Sequence, residues 1–292
     1  MTVVHAIFAP GLFTNGPVQT AALISATVAL VCAPAGLFTV MRGQSFAGHA
    51  FSDITATGGS AAALAGTGPL AGFVVMGLAG AGLMGALGVQ RQRGRDLVTG
   101  ITLGAALGLA ALFLYLTSTA SSTSGTTVTV LFGSVFALSS SYWPVVAGLG
   151  GAALASMLVL WRPLLLSTVS PELAAARGVR LRLSETAYLA SVAVAVALAA
   201  LTVGAILSTA LLIGPSAAGL RFGKTPARAC FWAVGFGVVS LWAGIVLAYD
   251  SYDWPPAGRG WPVSFFVVAL VTGFYAMAQM LGRAPARLRG AS

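Results

Sequence analysis

The sequence predicts an all-α polytopic membrane protein with eight or nine spanning helices, and three observations carry that prediction. Charged residues make up 7% of the 292-residue chain, against roughly 25% in soluble domains. Hydrophobic residues reach 58%, with 37 glycines, and glycine is commoner in membrane helices than in soluble ones. The basic residues, finally, cluster in alternate loops between long apolar runs.

A crossing helix needs about 20 mostly apolar residues. Runs of that kind lie at 18–41, 46–66, 70–89, 98–118, 142–161, 185–203, 204–222, 227–249 and 262–282, the pair meeting near 203 reading either as two crossings or as one broken one. If RQRGRD (91–96) is cytoplasmic, alternation places fourteen of the fifteen basic residues on that side, with Arg259 alone opposite. The positive-inside rule expects such an asymmetry. It predicts an external N-terminus, a cytoplasmic C-terminus and a single transmembrane domain over 1–292. The same arginines account for the net charge of +9, so nucleic acid is not expected as a partner. The opening MTVVHAIFAPGLFTNG has no basic n-region and no small-residue cleavage site, so no removed signal peptide is expected. Cys32 and Cys230 sit singly in apolar runs and suggest neither disulfides nor a thiolate metal site.

Two external segments follow from this layout. TSTASSTSGTT (117–127) reads as a polar low-complexity linker. DSYDWPPAGRGW (250–261) is a loop whose Asp250 and Asp253 either contact a partner or cation or simply face water. Glycines at 100, 104 and 108, and at 77, 80, 82, 85 and 88, read as close helix–helix contacts, because small side chains let backbones approach in lipid.

The second run holds the most informative residues. In RGQSFAGHAFSDITATGGS (42–60), His49 and Asp53 stand one helical turn apart, with Ser45 and Ser52 on the same side. An ionisable group at membrane depth costs about 3 kcal/mol or more, so it faces a bundle interior or a water-filled path. Imidazole plus carboxylate suits Zn2+ or Mn2+ and not the soft ions that thiolates select. A two-fold homodimer would bring two such pairs to one axis. The competing reading is a structural His–Asp hydrogen bond, and the residues leave the two balanced.

Two further stretches stand out. In SPELAAARGVRLR (170–182), Ser170 is an N-cap, Pro171 suits the first helical position, Glu172 complements the dipole and Gly178 can end the helix in a left-handed conformation. About two turns of helix are too short to stand alone, so this segment docks on a partner or on its own bundle. In VGAILSTALLIGPSAAGLRF (203–222), Gly214 and Pro215 are expected to interrupt a span, either as a packing kink or as part of a substrate path. GLRFGKT (219–225) only mimics a phosphate-binding loop, since the required first glycine is Ala218.

These stretches, in this order, resemble the permease subunits of bacterial ABC importers for zinc, manganese and iron, the ABC-3 family. The family's R-x-M-S-x-x-G-D-x-x-x-H reads here as R-G-Q-S-F-A-G-H-A-F-S-D. Arg42, Ser45 and Gly48 match, while His49 takes the family's aspartate position and Asp53 its histidine position. SPELAAARGV resembles the family's S-P-x-L-A-x-x-x-G-V, whose Ser, Pro, Leu and Gly fall on Ser170, Pro171, Leu173 and Gly178. VGAILSTALLIGPSAAG is similar to VGALL…SLLIIPAATA, and LFG (131–133) and YDWPPAG (252–258) also have counterparts. The resemblance implies an ABC importer permease of the vitamin B12/metal-importer fold type in the bacterial plasma membrane. It implies that the helix within 170–182 couples to a separate ATPase that uses the ATP, that an extracytoplasmic protein delivers Zn2+ or Mn2+ (Fe2+ being a further family substrate), and that a second copy completes a homodimer. On that reading the chain binds no cofactor and is not an enzyme. The alternatives are a proton-coupled secondary transporter and a permease for a metal chelate or siderophore. A membrane enzyme is disfavoured because no nucleophile–base pair or three-ligand metal set is visible.

Overall fold

The computed structural model describes residues 15–86, 95–120, 124–254 and 260–281. The described residues are helical throughout, without strands. In chain order the helices are α1 (Gly16–Met41), α2 (Ser45–Leu64), α3 (Pro69–Ala86), α4 (Arg95–Ala120), α5 (Ser124–Phe132), α6 (Tyr142–Val159), α7 (Trp161–Val169), α8 (Pro171–Ala176), α9 (Leu181–Val203), α10 (Ala205–Phe222), α11 (Pro226–Asp250) and α12 (Val263–Leu281), with 3-10 turns at Val135–Ala137 and Ser251–Asp253. Eight of these are long and apolar enough to cross a membrane. The remaining long helix, α2, has 20 residues but is too polar to qualify by hydropathy. It lies inside the bundle, packed by α3, α4, α9 and α10.

Burial explains how α2 tolerates its polar residues. Thr57 shares its one hydroxyl hydrogen between Asp53 O (2.9 Å) and Ala106 O of α4 (2.8 Å), and Ser60 donates to Ala56 O (2.7 Å). Bonding back into the helix satisfies hydroxyls that hydrocarbon would leave unpaired. The α2–α3 crossing depends on glycine at both helices: a Cβ on Gly58 would lie 2.0 Å from Gly72 O, and one on Gly72 would lie 2.1 Å from Gly58 O.

The centre of the bundle is α9, whose flanks meet α1, α2, α3, α6 and α10. Tyr188 meets Thr39, and Cys32 donates to Ala195 O, so α9 and α1 run in opposite directions. The interruption near 203 resolves into two helices. Gly204 adopts φ +88, a left-handed conformation available to glycine without a Cβ clash. Leu131 O and the Phe132 backbone close on this corner, leaving no room for a side chain.

Several sequence expectations change. Helix α10 runs unbroken through Gly214 and Pro215, so the expected break there is absent and the chain turns at Gly204. Proline has no N–H to give Leu211 O; the next residue, Ser216, shares its hydroxyl hydrogen between Leu212 O (3.1 Å) and Ala33 O (3.2 Å), tying this turn to α1. The expected linker at 117–127 is largely helical. Thr117, Ser118 and Thr119 bond back to Phe113 and Tyr115 carbonyls and extend α4 to Ala120, while 121–123 lie outside the described residues. Gly77 and Gly80 pack on Thr55 and Ile54 of α2, as the glycine pattern suggests, whereas Gly82, Gly100, Gly104 and Gly108 face open space. Residues 91–94 of the RQRGRD loop, Gly88, Arg259 and the basic C-terminal tail from 282 on lie outside the described residues, while Arg95 and Asp96 open α4.

Candidate functional site

The α2 pair meets at the α2–α10 seam. His49 Nε2 lies 3.9 Å from Asp53 Oδ2, with the His49 side chain 48% exposed and that of Asp53 12% exposed. Asp53 Oδ2 has no hydrogen-bond partner. A divalent cation bonds imidazole nitrogen at about 2.0–2.1 Å and carboxylate oxygen at about 2.0–2.2 Å. A gap of 3.9 Å therefore admits a cation with both bonds at ordinary length. No group of three or more His, Cys, Asp or Glu occurs among the described residues, so one chain offers a two-point ligand set.

The opposite side of the seam comes from α10. Thr209 Oγ1 lies 3.2 Å from His49 Nδ1 and 2.6 Å from Ser52 Oγ, and Ser52 Oγ lies 2.7 Å from Ser208 Oγ. Ser45, expected on the same stripe, is absent from these contacts. Thr209 also opens onto a cavity of ≈ 380 Å³ between α10 and α12, lined by Ile213, Gly214, Ala217, Thr272 and Tyr275. Gly214 lines it because Val271 Cγ1 would stand 2.1 Å from any Cβ there; the residue permits the α10–α12 contact while Pro215 stays in helix. Sequence reasoning missed Ser208 and Thr209. The available signal was two adjacent hydroxyls in an otherwise aliphatic run.

At the end of the bundle where α1 turns into α2, Arg42 is nearly enclosed. Its guanidinium pairs with Glu185 (2.8 Å), donates to Ser167 Oγ (2.5 Å), Thr168 Oγ1 (3.1 Å) and Leu164 O (3.4 Å), and lies 4.9 Å from the Tyr188 ring centroid. One side chain thus ties α1, α7 and α9 together.

Helix α8 follows directly. Ser170 Oγ accepts from Leu173 N (3.2 Å), Pro171 opens the helix and Glu172 sits in its first turn. Gly178 takes φ +78 beyond its end. The helix spans six residues, and Leu181 and Arg182 already belong to α9, which shortens the expected 170–182 element. Ala174 is fully buried on the inner side, while Val169 (82%) and Leu173 (48%) stand exposed. The α10–α11 corner is made by the GLRFGKT segment, with Thr225 accepting from Arg228 N; it is a helix cap.

Residues 16–279 match the ABC 3 transport family. The chain belongs to that family. The manganese transport system membrane protein MntC of Halalkalibacterium halodurans is 30% identical over 245 residues, covering 82% of each chain. The high-affinity zinc uptake system membrane protein ZnuB of Haemophilus influenzae is 29% identical, covering 80% of this chain and 90% of its own. Among solved structures, PsaBC from Streptococcus pneumoniae in complex with Fab aligns over 96% of both chains with a TM-score of 0.75 at 22% identity, a likeness of fold. The two family motifs LFG (131–133) and VGA (203–205) meet in space: a Cβ on Gly133 would lie 2.5 Å from Gly204 N.

Proposed function

We propose that this chain is the transmembrane permease of an ATP-driven importer for Zn2+ or Mn2+, acting as a homodimer in the bacterial plasma membrane with its N-terminus outside. The observation that carries the reading is the His49–Asp53 gap: a nitrogen–oxygen pair of cation size, its oxygen without a hydrogen-bond partner, on a half-open face of a family transporter. Two ligands bind a divalent ion weakly, which suits conduction, since a transported ion must leave as readily as it enters. Two copies facing one axis would supply four protein ligands, the usual complement for zinc. A second copy would also cover the half-exposed His49 ring, an ionisable group that is costly to leave facing hydrocarbon.

The coupling surface is assigned to α8 and the end of α7 before it, where Leu173 and Val169 offer an apolar face and Glu172 a charge to a separate ATPase. An extracytoplasmic protein would deliver the ion at the opposite end. Metal selectivity within the zinc and manganese pair rests on the nitrogen-plus-carboxylate donor set, which accepts both.

The test is ATP-driven uptake of radioactive zinc and manganese in vesicles holding the chain, its ATPase and its binding protein. Uptake that disappears in His49→Ala and Asp53→Ala while ATP hydrolysis continues supports the path. Uptake that survives both substitutions sinks it, and uptake driven by a proton gradient without ATP assigns the chain to the proton-coupled class.

A further inference from the structure

We propose that Ser52, Ser208 and Thr209 form a one-way hydroxyl relay that holds the His49 ring with its proton on Nδ1 and presents a bare Nε2 to the cation. The inference rests on the metal-path reading above and names the residues that position its nitrogen ligand.

The direction of the relay follows from counting protons. A serine or threonine hydroxyl carries one donor hydrogen. Ser208 spends its own on Ala205 O, 2.8 Å away, at the first turn of α10. Toward Ser52 (2.7 Å), Ser208 Oγ therefore accepts, and Ser52 donates. Having donated, Ser52 accepts from Thr209 across 2.6 Å. Thr209 has then spent its hydrogen, so its oxygen accepts from His49 Nδ1 at 3.2 Å. A neutral imidazole carries one N–H, and fixing it on Nδ1 leaves the Nε2 lone pair free. Nε2 is the atom facing the unpartnered Asp53 Oδ2 at 3.9 Å. The chain is anchored at a backbone carbonyl that cannot reverse its role, so each hydroxyl in turn has one available direction.

Residues that bond the outer nitrogen of a metal-binding histidine set its tautomer and orientation, and losing them typically weakens metal binding about 10–100-fold. Ser52, Ser208 and Thr209 are positioning residues on this account, with no contact to the ion. The arrangement also links the ligand on α2 to α10, the helix that borders the open cavity.

The experiment uses the reconstituted complex with 15N-histidine. The chain has two histidines, and His5→Gln leaves the His49 ring as the signal from this subunit. The relay predicts a metal-free ring protonated on Nδ1 in the wild type and in Thr209→Ser. It predicts that Ser208→Ala puts the proton on Nε2 in part of the population, because Ser52, without its acceptor, can donate to Thr209 and Thr209 to Nδ1. Half-saturating metal for uptake rises about 10–100-fold in Ser208→Ala and Thr209→Val and returns toward wild type in Thr209→Ser. A wild-type ring protonated on Nε2, or an unchanged tautomer in Ser208→Ala, overturns the relay. If the tautomers follow the relay but His49→Ala transports normally, the relay stands and the metal path falls.

Discussion

Arg42→Met is the most informative single change away from the metal pair. The methionine keeps the aliphatic stem and removes the charge from a side chain that is 6% exposed, facing a Glu185 side chain that is 14% exposed. Breaking an enclosed ion pair by deleting one partner costs about 3–5 kcal/mol, mainly because the other charge stays buried and unpaired. The contact with Tyr188 adds about 1 kcal/mol, and the bonds to Ser167, Thr168 and Leu164 O are lost together with it. These contributions share one guanidinium and do not sum, so the expected loss is about 3–5 kcal/mol in total. Glu185→Gln keeps an acceptor for Arg42 and should cost less, about 1.5–3 kcal/mol. Combining the two leaves no unpaired charge, so the double variant should be more stable than the sum of the singles by about 1–3 kcal/mol. Reversible unfolding in mixed detergent micelles measures all three. Single losses below about 1 kcal/mol, the range of solvent-screened surface pairs, together with additive behaviour, would refute the enclosed network.

Three further outcomes follow from the geometry. Gly58→Ala places a methyl against Gly72 O and should destabilise by about 1–3 kcal/mol, whereas Gly100→Ala, facing open space, should be neutral or slightly stabilising by helix propensity; unfolding midpoints compare them. Ser170→Ala removes the α8 cap and should cost about 1 kcal/mol locally, read as faster amide exchange at Leu173 N and weaker binding of the ATPase subunit, with no change at either observable arguing against α8 as the docking element. The exchange variant His49→Asp with Asp53→His restores the family's order of donors. It should recover most of the uptake that either alanine variant loses, and an inactive exchange variant would show that position, and not inventory, decides.

Much of this was legible in the residues. Low charge, long apolar runs and arginine spacing yield the crossings, and the i,i+4 rule places His49 beside Asp53. The caps of α8 were readable because Ser170, Pro171 and Gly178 each act through their own backbone. What escaped were relations between distant segments. Gly214-Pro215 looks like a break in isolation, yet the helix runs on through it with Ser216 bonded across to α1, and the chain turns at Gly204. The glycines of α4 share the spacing of those in α3, yet spacing does not reveal which helix faces a neighbour. The adjacent hydroxyls of Ser208 and Thr209 mark a polar spot in α10, but not its role, since the partners of Thr209 lie about 160 residues away in the chain.

The corner at Gly204 has a mechanical consequence. With the pivot at this residue and about 1.5 Å of rise per residue, Thr209 sits about 8 Å along α10 and Phe222 about 27 Å. A tilt of about 10° about the pivot would carry Phe222 by about 5 Å and Thr209 by little more than 1 Å on the same geometry. The helix would then work as a reducing gear, turning a broad swing at the end carrying Arg221 into a fine adjustment beside the imidazole. Spin labels near the two ends, followed through the ATP cycle, would report unequal displacements in that ratio; equal shifts would mean that α10 slides as a rod.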